Sequence, residues 1–162
     1  MATWQYDLIL IPRSKLRVLF PDVTDRVDPD AFDPDVCWAE HQPPGNYDEL
    51  IASFVPEYQS WSDTFREWGV EDGDQICVVL EDERVVEISA RLDARELNMK
   101  FIAGLASLAE YCDCLLLTEE MKVIEPEIDN ILSELRQSNA VKFVENPGAF
   151  LDSLSGSEEQ FE

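Results

Sequence analysis

Basic residues, histidine and glycine are scarce in this chain: its 162 residues include 12 Lys and Arg, one His and six Gly. Each shortage removes a class of chemistry. Phosphate backbones are held by Lys and Arg, and the one basic cluster is Arg13, Lys15 and Arg17, so direct nucleic-acid binding is not expected. The phosphate-cradling patterns G-x-x-x-x-G-K-[ST] and G-x-G-x-x-G are both missing, which leaves nucleotide binding without support. Nucleophilic catalysis needs a base, usually His. The sole candidate, His41, lies beside Glu40 in a Pro-rich stretch with no Ser or Cys motif to serve. Apolar runs of about 18 residues are lacking too, so no spanning helix is expected, and the carboxylate excess disfavours anionic lipid surfaces. The first seven residues, MATWQYD, carry no basic region before an apolar stretch. A secretory signal is therefore not expected, and a reducing cytoplasm is the expected compartment.

The four cysteines, Cys37, Cys77, Cys112 and Cys114, form no C-x-x-C. Cys112 and Cys114 flank one residue on an expected strand and would face the same way, but a second ligand pair at zinc spacing is absent. Buried free thiols are the expectation, with no metal and no cofactor. Asp28, Asp30 and Asp33 invite a calcium reading. The glycine for the sharp turn and the closing Glu are out of register with it, so that reading is set aside.

What is abundant is acid. There are 35 Asp and Glu, giving a net charge of −23, yet 45% of the residues are hydrophobic and four Trp, eight Phe and four Tyr are present. That apolar content is too high for a disordered acidic segment. A single domain over 1–154 is expected, with 155–162 as a flexible acidic tail. A chain of this length buries about 70% of its unfolded surface.

Tyr6, Leu8 and Leu10 alternate with Asp7, Ile9 and Ile11 as a strand does, closed by Pro12. Arg13 to Phe20 fits a short helix or an extended connection. Pro21 to Asp35 carries six Asp and three Pro and reads as a loop. Asn46 with Glu49 resembles a capping box for a helix from about Tyr47 to Val55. Ser60 or Ser62 would cap a second helix, with Trp61, Phe65 and Trp68 at i, i+4 and i+7 and Gly69 as its stop. QICVVLE and RVVEISARL flank Asp82-Glu83 as a hairpin, although that turn lacks Asn-Gly or Asp-Gly. Asp93 with Glu96 would cap a long helix carrying Leu97, Phe101, Leu105 and Leu108 and ending near Tyr111. CDCLLLT and MKVI read as a second hairpin, and Pro126 opens a helix with Ile128, Ile131, Leu132 and Leu135 on one side. Helical turns around 140–145 and 147–154 complete the chain. The order implies an α+β fold, an antiparallel sheet of about five strands with helices packed on one face.

The acid is unevenly placed. Between Pro21 and Asp74 there are 15 acidic residues against Arg26 and Arg66, and Trp38, Tyr47, Tyr58, Trp61, Phe65 and Trp68 fall in the same third. Carboxylates beside amphipathic rings suit capture of an Arg/Lys-rich protein surface. The residues expected to meet such a partner are Asp28, Asp30, Asp33, Asp35, Trp38, Tyr47, Trp61 and Trp68. For the Trp61, Phe65, Trp68 set, core packing is the competing reading. Carboxylate pairs such as Glu119 and Glu120 could in principle act as acid and base, but among 35 acids such pairs arise by chance.

The runs WQYDLILIPRS, LLLTEE with Ile124-Glu125-Pro126, and AVKFVENPGAFL resemble small uncharacterised single-domain bacterial proteins. By type, the acidic profile is similar to the immunity proteins of bacterial polymorphic-toxin systems. That resemblance implies a non-enzymatic cytoplasmic protein that occludes a toxin domain, with a basic protein as partner. No site residues carry over from it. The alternative is a structural or regulatory protein, homodimeric through a sheet edge, whose acidity serves solubility.

Overall fold

The computed structural model describes residues 3–19, 26–30, 32–58 and 62–149. Its elements run β1 (Gln5–Pro12), α1 (Arg13–Leu19), α2 (Pro34–Trp38), α3 (Tyr47–Ala52), β2 (Glu57–Tyr58), β3 (Phe65–Gly69), β4 (Gln75–Glu81), β5 (Arg84–Asp93), α4 (Met99–Tyr111), β6 (Cys114–Thr118), β7 (Val123–Ile124), α5 (Ile128–Arg136) and α6 (Asn139–Glu145), with one more helical turn at 147–149. The fold is α+β. Its sheet has seven antiparallel strands in the order β2-β3-β4-β5-β1-β6-β7 rather than five. The first strand of the chain is inserted between two that come much later.

Residues opposite each other in an antiparallel pair point to the same side. The register Tyr6↔Leu92, Leu8↔Ala90 and Leu10↔Ile88 continues through Ile76↔Ala90 and Val78↔Ile88 to Trp68↔Ile76. All of these side chains are buried, so they form one continuous apolar layer. α2 packs on β5 and β1, and α4 packs on β6 and α3. The opposite side carries Asp7, Ile9, Glu67, Cys77, Val79, Glu87, Ser89 and Arg91, each half-buried. β6 departs from this alternation: Cys114 to Thr118 are buried throughout. Cover is therefore not confined to one face as expected, because a strand reading CLLLT has apolar groups to hide on both sides.

Both expected hairpins are present, β4 with β5 and β6 with β7. The expected helix ending at Gly69 is instead the strand β3. Gly69 stands at φ 101°, and a Cβ there would lie 2.1 Å from the carbonyl oxygen of Asp74. The glycine thus ends a strand at a tight connection, not a helix. α3 is shorter than expected, and Asn46 sits at φ 69° without capping through its side chain. α4 starts later than expected, at Met99. Asn98 caps it by accepting from the Phe101 N–H at 3.1 Å, while Asp93 is used by β5 in its pairing with Gln5. Cys112 is the C-cap of α4, not a strand residue. The tail at 155–162 and the turn at 150–154 lie outside the described residues.

Candidate interaction surface

The sequence-predicted contact residues do not form one surface. Trp38 and Trp68 are fully buried, which corrects their assignment as surface anchors: both rings serve the core. Trp38 meets His41 edge-on with ring centroids 5.8 Å apart. Trp68 lies under the Arg66 guanidinium, 4.8 Å from its centroid. Trp61 lies outside the described residues, as does the side chain of Asp35. Tyr47 is half-buried beside Arg66, and burial raises its phenol pKa. Asp28, Asp30 and Asp33 are exposed. The start of their loop is fixed at the β7 edge, where Arg26 bridges Lys122 and the Val27 N–H donates to Met121 O at 2.8 Å. β3 and β7 are five steps apart in the sheet, roughly 24 Å at normal strand spacing. The anchoring of this loop and the tryptophan of β3 are therefore separate features.

Arg66 is an internal knot rather than a stray cation in an acidic third. It bonds Glu57 at 2.7 Å and Asp48 at 3.3 Å, tying α3 and β2 to β3. Arg13 pairs with Glu125, Lys15 with Glu40, Arg91 with Asp7, Arg95 with Asp93 and Lys122 with Glu134. Among the described residues, six cations are thereby held in ion pairs within the fold.

The sheet side facing away from the apolar layer has two hollows. One, of about 200 Å³, is lined by Asp7, Ile9, Cys77, Glu87, Ser89 and Arg91 among others. The second, of about 350 Å³, is lined by Tyr58, Glu67, Val70, Glu71, Gln75 and Arg91. Gln75 and Arg91 border both, so the hollows adjoin. Tyr58 and Val70 are 58% and 61% exposed at the rim. Arg91 donates to Asp7 at 3.1 Å and is surrounded by Glu67, Glu71 and Glu87 in the walls. Sequence reasoning missed this surface. Its signal was the polar half of the β1, β4 and β5 alternations, which reads as ordinary solvent-facing surface until the register places those residues side by side.

The chemistry of the cysteines follows from their burial. Burial, reinforced by the Glu67 and Glu87 carboxylates, pushes the Cys77 thiol up to about 12. Burial likewise raises Cys37 to about 11 and Cys112 to about 12, and Cys114 upward as well. All four are free thiols, and these shifts hold them protonated near neutrality. His41 Nε2 lies 3.3 Å from the Cys112 carbonyl oxygen, an arrangement in which that nitrogen donates. Among the described residues, no three His, Cys, Asp or Glu side chains are gathered so as to hold a metal ion, and no helix is long and apolar enough to cross a membrane. Comparison with protein-family models, with curated proteins and with solved structures gives no significant match for this chain.

Proposed function

We propose that this chain is a non-enzymatic protein-binding module, an immunity or inhibitor protein that occludes a basic toxin domain. The observation that carries this reading is the disposition of charge. A chain of net charge −23 places six cations of its described residues in ion pairs within the fold, and carboxylates dominate the charge it presents to solvent. Such a field repels phosphate and accelerates encounter with a cationic protein. The exposed Asp28, Asp30 and Asp33 add to the long-range attraction whichever surface finally docks. The sheet edges favour a partner of a different kind over a second copy. β2 and β7 are two residues long, and edges that short offer little backbone for edge-to-edge pairing.

Co-expression with the product of the neighbouring gene, followed by size-exclusion chromatography at low and high salt, tests the proposal. A stoichiometric complex with a basic protein that weakens as salt rises, and whose toxicity is suppressed in the co-expressing cell, is the expected result. Elution of this chain alone under both conditions, with growth unaffected by its omission, contradicts it.

A further inference from the structure

We infer that the basic partner docks on the outward face of β3, β4, β5 and β1, laying an extended Arg- or Lys-bearing segment across the two adjoining hollows. This rests on the reading above and assigns it a place. The hollows meet at Gln75 and Arg91, which are direct partners in the β4–β5 register. From β1 to the Tyr58 rim on β2 is four strand steps, about 19 Å, which about six residues of extended chain would cross.

Charge complementarity selects the occupant. Asp7, Glu67, Glu71 and Glu87 line the hollows with Arg91 as the single cation among those lining residues. Arg91 already occupies Asp7, and the carboxylates that face the second hollow are those of Glu67 and Glu71. A cationic side chain entering beside Glu67 and Glu71 meets the ring of Tyr58 and the methyl groups of Val70 at the same rim. The ring face attracts a guanidinium, and the apolar surface covers the methylene stem of Arg or Lys. An anionic segment would be repelled by these glutamates, and a purely apolar one would cover them without supplying a counter-charge. This also places the exposed aromatic contact at Tyr58, a role the fold denies to Trp38 and Trp68.

The test uses the full chain and a blocked hexapeptide of alternating Arg and Thr, titrated with detection of backbone amide shifts at about physiological ionic strength. Saturable binding with the largest shifts at Glu67, Val70, Gln75, Cys77 and Arg91 is expected. The pair Glu67→Lys with Glu71→Lys should weaken binding about tenfold or more, and Tyr58→Ala several-fold, each with amide dispersion retained. Asn at positions 28, 30 and 33 together should change affinity by less than about threefold, because exposed charges away from the contact act mainly on encounter. Wild-type shifts concentrated on the aspartate loop, or affinity unchanged by the sheet-face variants, overturns this placement while leaving the basic-partner reading intact. Absence of saturable binding by the wild-type chain overturns both. The shift map depends on no variant, so a misfolded charge reversal leaves the inference falsifiable.

Discussion

Asp74 carries more of the local architecture than its place in an acidic turn suggests. Its Oδ1 accepts the Asp93 N–H at 2.8 Å, and its carbonyl accepts the Val70 N–H at 3.2 Å, so it joins the β3–β4 connection to the end of β5. Burial, with the Asp93 and Glu96 carboxylates nearby, raises its pKa from 3.8 to about 6. Between those values the folded chain holds a proton that the unfolded chain has released, so this group's contribution to stability falls as pH rises through that window. Asn at 74 keeps the accepting oxygen and discards the charge. Asp74→Asn should therefore melt higher than wild type above pH 6 and show a flatter stability profile between about pH 4 and pH 6; chemical denaturation across that range measures it. A variant less stable than wild type at pH 8 would show that the carboxylate charge is needed. Arg66→Ala should lower stability by about 1–2 kcal/mol, since it uncovers Trp68 and leaves Asp48 and Glu57 without their shared cation. An unchanged urea midpoint would show that the knot contributes nothing.

The β4–β5 hairpin turns through Asp82 and Glu83 at φ 51° and 66°, the positive-φ pair of a type I′ turn, normally filled by Asn-Gly. A left-handed Glu is strained by about 1 kcal/mol or more. Replacing the pair by Asn-Gly should raise stability by about 1 kcal/mol, readable as an increased denaturation midpoint; a loss would mean that the two side chains hold the turn in ways their backbone angles do not reveal. Legibility varied by element for physical reasons. β1, β4 and β5 could be read because one face of each is buried and the period-2 pattern survives, as in Ile76, Val78 and Leu80. β3 could not: Arg66 occupies its core side by stacking on Trp68, and Phe65 with Trp68 mimics helical spacing. β2 has two residues and no pattern to detect. The start of α4 was misplaced because Asp93 and Glu96 satisfy a capping rule locally, while pairing with Gln5, 88 positions away, draws Asp93 into the sheet. The sheet face proposed for docking is hidden in the sequence for the same reason, since Asp7, Glu67 and Arg91 become neighbours only through non-local register.

For the molecule as a whole, a net charge of −23 works against compaction, because like charges are closer in the folded chain than in the unfolded one. Raising salt from about 0.02 M to about 0.3 M should relieve that repulsion. An increase of roughly 1 kcal/mol, about 3 °C in melting temperature for a domain of this size, is expected by calorimetry. A decrease would place the internal ion pairs ahead of the global repulsion. The same charge should govern how a partner is met. The most direct measurement is the association rate constant with the co-expressed basic partner as a function of ionic strength, by stopped-flow. A rate falling by about tenfold or more over the same salt range, with dissociation much less affected, is the result predicted. A rate indifferent to salt would contradict electrostatic capture and with it the function proposed for this acidic fold.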